Sequence, residues 1–224
     1  MRRFLRDNSL AIVFGLLFLG ALVGQAIAGH ASYNNDQIAH GEPAISLGRY
    51  LTSSAFGRAV LENWQSEYLQ FMLFMLGTVW LLQRGSPESK PLDKPGRESE
   101  KDQKLGTHAL QSSPGWARAG GLRTAIYSNS LLILMTVIFF GSWAGQSVTG
   151  WTDYNDIQRE HHEATVSLAG YLGSASFWES TLQNWQSEFL AVGSFAVFAI
   201  YLRQRGSPES KPVGAPHEST GIEG

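Results

Sequence analysis

Apolar residues in this chain are concentrated in four blocks, and charged residues are concentrated between the blocks. The first and third blocks, Leu10–Gly29 and Leu131–Gly150, are uncharged runs of 20 residues, which is long enough for a helix to span a bilayer. The second and fourth blocks, Tyr68–Gln83 and Phe189–Leu202, hold only 16 and 14 residues. Each of them continues a helical pattern that begins earlier in the chain, so a longer helix can still cross. The pattern therefore predicts an all-α integral membrane protein with four transmembrane helices.

The blocks recur because the chain is a tandem duplication. When the sequence is shifted by 121 residues, Asn8–Pro91 aligns with Asn129–Pro212 without a gap, and 38 of the 84 positions are identical. Asn63–Glu67 and Asn184–Glu188 share the motif Asn-Trp-Gln-Ser-Glu. Any mechanism must therefore work with two copies of each motif. We predict two parallel helical-hairpin repeats, related by a rotation of about 180° about the membrane normal.

The duplication and the composition between the copies divide the chain into four parts. We predict a first hairpin repeat at 1–84, with spans at about 9–29 and 64–83, and a second at 121–205, with spans at about 129–150 and 185–203. Residues 85–120 and 206–224 are rich in Ser, Pro, Gly and charge, so a disordered cytoplasmic linker and tail are predicted.

Each outer loop is predicted to contain a polar turn, near Tyr33 or Tyr154, followed by a short amphipathic helix. The amphipathic helices are expected near Ile45–Leu51 and its copy. In the second copy, Ser176 and Glu179 have the spacing of a capping box that would start the next helix.

Basic residues predict the orientation of the spans. Of the 17 Lys and Arg residues, 14 lie before the first span, between the second and third, or after the fourth. This distribution places both termini and the linker in the cytoplasm, with the chain in the plasma membrane. An alternative for Leu10–Gly29 is a cleaved signal peptide, because Met1–Arg3 is basic and Ala26–Ala28 resembles a cleavage site. Its copy at Leu131–Gly150 is internal, so we expect both segments to be spans.

Composition excludes several classes of function. The formal charge of −2 argues against nucleic acid as a partner. The chain has no cysteine, which excludes disulfides, thiolate metal sites and attached haem. No sequence motif indicates an enzyme, and no cofactor is expected. The expected partners are the lipid bilayer and either a second copy of the chain or another membrane protein.

The repeated Asn-Trp-Gln-Ser-Glu motif predicts a polar layer within the membrane. Glu67 precedes Arg84 by 17 residues, and Gln25 follows Asn8 by the same number, so both lie about 25 Å from the inner boundary. Polar side chains at such depths face protein and find partners. The layer is predicted to contain Glu67, Glu188, Gln25, Gln146, Asn63, Asn184, Gln65 and Gln186. It is either an ion or proton site or a set of cross-links between helices. The two tryptophans of the motif, Trp64 and Trp185, are predicted to be interface anchors.

Two further patterns recur in both copies. Pairs of glycines four residues apart predict a small-residue face for helix packing, formed by Gly20, Gly24, Gly141 and Gly145. A His-x-Glu pattern could ligate a divalent metal outside the membrane, although loop histidines are more often only solvated. The residues of this weak metal candidate are His40, Glu42, His161 and Glu163.

Together these sequences resemble an uncharacterised family of small bacterial integral membrane proteins, a domain of unknown function. The resemblance rests on the first-helix Gly-Gln, the His-x-Glu turn, the Asn-Trp-Gln-Ser-Glu motif and the Gln-Arg-Gly-Ser sequence that follows. It implies a bacterial membrane location and supplies no activity and no catalytic residues. The expected function is a structural or interaction role in the cell envelope. The alternative is a small channel or transporter in which the Glu/Gln layer is the ion or proton site.

Overall fold

The computed structural model describes residues 2–222, and that part of the chain is helical with no strand. Residue 1 of the predicted first repeat and residues 223–224 of the predicted tail lie outside the described residues. The α-helices are α1 (Arg2–Asp7), α2 (Ser9–Ala39), α3 (Leu47–Leu51), α4 (Ser54–Trp80), α5 (Gly115–Arg118), α6 (Gly121–Ser128), α7 (Ser130–Glu160), α8 (Leu168–Leu172) and α9 (Ala175–Tyr201). A 3₁₀ turn at Gly106–His108 lies between α4 and α5.

The helix bounds of the first copy recur in the second. α2, α3 and α4 begin and end 121 residues before α7, α8 and α9. The predicted polar turns near Tyr33 and Tyr154 are wrong, because α2 and α7 continue through them as helix. Neither stretch contains a proline or a glycine that would break the helix. α2 instead ends just before Gly41, whose φ of 81° suits a glycine at a helix C-terminus.

A serine starts the second long helix of each copy. The Ser53 hydroxyl accepts a hydrogen bond from the backbone N–H three residues later at 3.3 Å, and Ser174 does the same at 3.2 Å. The predicted capping box of Ser176 and Glu179 is wrong, because both residues lie inside α9. A serine at the N-cap satisfies a backbone N–H that the helix itself leaves unpaired.

Within the described residues, two helices, α2 and α7, are long and apolar enough to cross a membrane. α2 exposes apolar side chains on all sides, including Leu16 at 65% and Leu17 at 62%. A helix that is apolar all round is typical of a membrane span or of a large protein core. α4 and α9 are shorter, with 27 residues each, and they do not meet the same criterion of length and apolar content.

The chain forms two compact units, and each of them contains segments of both copies. Unit 1 comprises residues 2–61 and 145–177, and unit 2 comprises residues 62–144 and 178–222. The long helix α4 therefore begins in unit 1 and ends in unit 2.

Unit 1 is held together where the first turns of α4 meet the second half of α7. A Cβ on Gly145 would lie 2.8 Å from Leu61, and a Cβ on Gly57 would lie 3.0 Å from Thr149. The Arg58 guanidinium forms an ion pair with the Asp153 carboxylate at 2.7 Å. The two glycines thus allow α4 and α7 to pack closely, and a side chain at either position would push these helices apart.

Candidate functional site

In unit 2, the two Asn-Trp-Gln-Ser-Glu motifs lie on α4 and α9 and bind each other. The Trp185 indole N–H donates to Gln65 Oε1 at 2.8 Å. The Ser66 hydroxyl donates to Glu188 Oε1 at 3.3 Å. About one helical turn before Gln65, Glu62 Oε1 accepts from the Ser180 hydroxyl. These hydrogen bonds follow one face of α4, since residues three or four apart are neighbours on a helix.

The first motif is fully buried at its centre. Gln65 and Ser66 are both 0% exposed. The Gln65 side-chain amide also donates to the Glu62 carbonyl at 3.2 Å, and the Ser66 hydroxyl also approaches the Asn63 carbonyl at 2.9 Å. Buried polar groups of this kind contribute to stability only when they are paired, and here the contacts of the motif pair them.

An aromatic cluster surrounds the second motif. Trp185 packs against Phe139 and Trp143 of α7, with ring centroids 6.5 and 5.9 Å apart, and Trp143 packs against Trp178 at 6.4 Å. Trp185 therefore donates to a glutamine inside the protein, whereas the sequence analysis predicted an interface anchor. Trp64, its equivalent in the first copy, is 36% exposed, and its predicted role as an interface anchor stays a prediction.

Identical residues in the two copies have different environments. Gln65 is buried, whereas its copy Gln186 is exposed. In the same way Gln146 is 0% exposed, whereas its copy Gln25 is exposed. In the second copy of the motif, the side-chain amide of Asn184 donates a hydrogen bond to the backbone carbonyl of Ser180 at 2.8 Å. Equivalent residues of the two copies therefore differ in burial in the folded chain.

The residues of the predicted polar layer are divided between the units. Glu67 and Glu188 lie in unit 2, and Gln25 and Gln146 lie in unit 1. Within unit 2, the Glu188 carboxylate accepts a hydrogen bond from the Ser66 hydroxyl, and the predicted polar layer as a whole stays a prediction. Among the described residues, the side-chain amide of Gln146 has no hydrogen-bond partner.

The predicted small-residue face is used at one of its four glycines. A Cβ on Gly145 would meet Leu61, but a Cβ on Gly20, Gly24 or Gly141 would meet no described atom within 4 Å. The predicted packing role of these three glycines stays a prediction. The spacing of the glycines is the same in both copies, but among the four glycines, only Gly145 has a described side chain of another helix within 4 Å of its Cβ position.

The predicted metal site is formed only in part. The rings of His40 and His161 come together in unit 1, with centroids 5.8 Å apart. Among the described residues, however, there is no group of three His, Cys, Asp or Glu side chains that could hold a metal ion. Two histidines alone are too few ligands for a protein zinc site, so the weak metal candidate gains no support from the described contacts.

An asparagine on the first long helix of each copy holds the loop that leads to the second long helix, a role that was not predicted from the sequence. Asn155 donates to the Val166 carbonyl at 2.9 Å and accepts from the Val166 N–H at 2.8 Å. In the first copy, Asn34 donates to the Ile45 carbonyl at 3.1 Å and accepts from the Ile45 N–H at 2.9 Å. Trp151 adds a third hydrogen bond, to the Val166 carbonyl, at 2.7 Å. The repetition of Tyr-Asn in both copies was the signal for this contact.

A tyrosine of each outer loop fits against a glycine of the first helix. Tyr171 is 1% exposed, and its ring carbon Cζ would lie 3.1 Å from a Cβ on Gly150. Tyr50 lies against Gly29 in the same way, also with 3.1 Å to Cζ. Both glycines and both tyrosines are identical between the copies. The loops are therefore held against the helices by close packing of the tyrosine rings as well as by hydrogen bonds.

The repeated Gln-Arg-Gly-Ser-Pro-Glu-Ser-Lys-Pro sequence follows α4 and α9 and forms the same turn twice. The Ser89 hydroxyl accepts from the Gln83 N–H, and the Ser210 hydroxyl accepts from the Gln204 N–H, both at 2.9 Å. Gly85 has a φ of 84° and so does its copy, a conformation that favours glycine. This turn follows the ends of α4 at Trp80 and of α9 at Tyr201.

Lys211, the last lysine of the second turn, is buried among backbone carbonyls. Its ammonium donates to the carbonyls of Gly85 at 2.6 Å and His217 at 2.8 Å, with Pro216 and Ser219 at 3.4 and 3.3 Å. Burial lowers the pKa of Lys211, and the nearby positive charge of Arg203 lowers it further. The contact connects the C-terminal segment to the first turn. The predicted disorder of 85–120 and 206–224 stays a prediction.

The fold and these contacts define a helical protein with two candidate membrane-spanning helices among its described residues. The chain belongs to a family described as a domain of unknown function (DUF6766), whose profile matches residues 1–222. The resemblance to an uncharacterised family is therefore confirmed. No curated protein and no solved structure matches the chain significantly.

Proposed function

We propose that the chain is a multi-pass protein of the bacterial plasma membrane, with α2, α4, α7 and α9 as its four spans. The distribution of buried side chains supports this proposal. Among the described residues, eleven polar or charged residues and only eight apolar ones are buried, while large apolar side chains are exposed along the long helices. Water-soluble domains bury mostly apolar residues, whereas a lipid-facing surface is apolar and the protein interior contains the polar contacts.

The proposed orientation places both termini and residues 85–120 in the cytoplasm, from the distribution of basic residues. The chain has no native cysteine, so single cysteines can report the side of the membrane. We expect that Ser99→Cys is labelled by a membrane-impermeant maleimide only after the cells are opened. Thr165→Cys in the second outer loop is the matched control and should be labelled in intact cells. Labelling of Ser99→Cys from outside would contradict the orientation.

We propose further that the molecular role is structural and not catalytic. The observation that supports this most directly is the pairing of the two motifs, in which Trp185 donates to Gln65 and Ser66 donates to Glu188. Inside a membrane, polar side chains that bind each other hold helices together. Side chains that bind a transported ion would instead face a water-filled space. The repeated motif is then a cross-link between α4 and α9, and the chain a rigid helical component of the envelope.

The duplication supplies a matched pair of variants for this proposal. Gln65→Leu should lower the free energy of unfolding by about 1–3 kcal/mol, because it leaves the Trp185 N–H without its partner in a partly buried contact. Gln186→Leu, at the exposed equivalent position, should change the stability little. Unfolding in mixed detergent and SDS, followed by tryptophan fluorescence, measures both. Equal stability of the two variants would contradict the role of the motif as a cross-link.

A channel or transporter is the second candidate, and one observation favours it. The amide of Gln146 is fully buried and lacks a hydrogen-bond partner among the described residues. Buried polar groups without a protein partner commonly bind ordered water. Flux of protons, Na⁺ or K⁺ into proteoliposomes separates the two candidates. The structural proposal predicts no flux above that of empty liposomes, and flux that Glu188→Gln abolishes would replace it with the channel.

A further inference from the structure

The segment that follows the second turn folds back onto the end of α9. We call residues 213–222 the strap. The His217 ring donates from Nδ1 to the Ile200 carbonyl at 3.1 Å, and it packs against the Tyr201 ring with centroids 5.5 Å apart. Both of these partners lie in the last turn of α9. One part of the strap is therefore fixed to α9.

The end of the strap lies on the first turn, the sequence Gln83–Pro91 that follows α4. The Gly85 N–H donates to the Thr220 hydroxyl at 2.9 Å, and the Gly221 N–H donates to the Ser86 carbonyl at 3.0 Å. The Lys211 ammonium adds a further link, because its four carbonyl partners comprise one in the first turn and three in the strap. The strap thus connects the end of α9 to the turn after α4.

The second turn, Gln204–Pro212, has the same nine residues, but no segment lies over its glycine. Gly85 and its equivalent Gly206 share a φ of 84°, and the serine–glutamine hydrogen bond of the turn is 2.9 Å long in both copies. A Cβ on Gly85 would lie 2.5 Å from the His217 carbonyl oxygen, whereas a Cβ on Gly206 would meet no described atom within 4 Å. Gly85 is accordingly buried and Gly206 exposed. The turn therefore forms without a cover, and the strap is a separable contact.

The first turn also forms one end of an apolar cleft in unit 2. The cleft lies between the second halves of α4 and α9, has a volume of about 430 Å³, and is lined at this end by Gln83, Ser86 and Ser89. The turn touches α9 here, because a Cβ on Gly85 would lie 2.9 Å from the Ile200 side chain. The strap covers this junction between the first turn and α9.

The contacts that hold the strap are mainly polar. Its two large aliphatic residues, Val213 and Ile222, are 62% and 45% exposed, so the strap buries little apolar surface. Segments with few buried apolar contacts open locally at a small cost in free energy, and moving elements are drawn from them. The strap therefore has the features of a part that can leave while the helices stay folded.

We propose that the strap is a reversible lock on this end of the cleft. When docked, it holds the first turn against α9 and fixes the distance between the ends of α4 and α9. When released, it exposes Gly85 as Gly206 is exposed in the second turn, and it allows the end of the cleft to widen. The proposal does not depend on the membrane insertion of α4 and α9, because every contact that carries it lies within unit 2.

Hydrogen exchange of the full-length chain tests the docking of the strap. The amides of Gly85 and Gly206 both lie between an arginine and a serine, so their intrinsic exchange rates are equal. In the unmodified chain, Gly85 should exchange about tenfold or more slowly than Gly206, because the strap must first open. Gly221→Ala should raise the Gly85 rate to that of Gly206, since its φ is 69° and its Cβ would lie 2.9 Å from the Ser89 carbonyl oxygen. Gly214→Ala is the matched control within the strap, because its Cβ would meet no described atom within 4 Å, and it should leave Gly85 protected.

The distance between the helix ends tests the lock itself. Arg84 and Arg205 are equivalent exposed residues, and the chain has no native cysteine, so Arg84→Cys and Arg205→Cys can carry a pair of spin labels. Electron paramagnetic resonance should give one narrow distance distribution, to which Gly221→Ala adds a longer population and Gly214→Ala does not.

Three results would overturn the proposal. The first is equal exchange of the Gly85 and Gly206 amides in the unmodified chain. The second is full protection of Gly85 in Gly221→Ala, and the third is an unchanged distance distribution after that protection is lost. Where Gly221→Ala does not fold, Thr220→Val carries the same two measurements, because it removes the hydroxyl that accepts from the Gly85 N–H.

Discussion

Gly150→Ala is expected to lower the free energy of unfolding by about 1–3 kcal/mol, which is the usual cost of adding atoms to a packed site. The new methyl group would lie against the Tyr171 hydroxyl and 3.1 Å from its ring carbon Cζ. The ring cannot easily move aside, because it is 1% exposed and packs against Tyr154 and Phe177, with ring centroids 5.5 Å apart in both cases. Denaturation in mixed detergent and SDS measures the loss.

Two further variants make this result specific. Tyr171→Phe removes the hydroxyl that the methyl group would meet, so the double variant should recover a large part of the stability that Gly150→Ala loses. Gly141→Ala is a matched control, since it makes the same change in the same helix where no described atom lies within 4 Å. Both alanines gain the same helix propensity. A Gly150→Ala protein as stable as Gly141→Ala would show that the tyrosine does not need the glycine.

Asn155→Ala should cost about 2–4 kcal/mol, because it removes two hydrogen bonds and leaves the Val166 N–H without its partner. Asn155 is 4% exposed, so water cannot readily replace the lost amide. Hydrogen exchange at the Val166 amide provides a local measurement, and its protection should fall together with the stability of unit 1.

The first copy provides the comparison for this second prediction. Asn34→Ala removes the equivalent bonds to Ile45, but Asn34 is only half-buried, so the loss should be smaller. Asn155→Asp keeps an oxygen that accepts from the Val166 N–H and should lie between Asn155→Ala and the unmodified chain. Unchanged Val166 protection in Asn155→Ala would refute the role of this side chain in holding the loop.

The helices follow from the sequence because their signals are local. Apolar runs and the absence of breakers predict α2 and α7, and an uninterrupted pattern predicts the long α4 and α9. The contact between the two motifs was also foreseeable in kind, since polar residues at matched depths need partners. Its details were not, because Ser66 and Glu188 meet through the packing of two distant helices.

Local sequence cannot distinguish positions that are identical in both copies. Gln65 and Gln186 have the same neighbours in sequence, yet only Gln65 is buried. Gly24 and Gly145 are likewise equivalent, yet only Gly145 has a side chain, that of Leu61, lying over it. The difference arises from which helices lie side by side, and that is decided by the whole chain. The contacts of Tyr50 with Gly29 and of Tyr171 with Gly150 were missed for a different reason, because each tyrosine is 21 residues away from its glycine in the sequence.

The separation of the paired motifs along the chain has a consequence for biosynthesis. Gln65 and Trp185 are 120 residues apart, so at about 5–20 residues per second the ribosome makes the second roughly 6–24 s after the first. If α4 spans the membrane as proposed, it enters the bilayer during that interval, before α9 supplies the partners of Gln65 and Ser66. A nascent chain in this state needs the insertion machinery, or another protein, to shield a polar helix face from lipid. Chains that end before α9 keep that face uncovered, which makes them natural targets for membrane quality control.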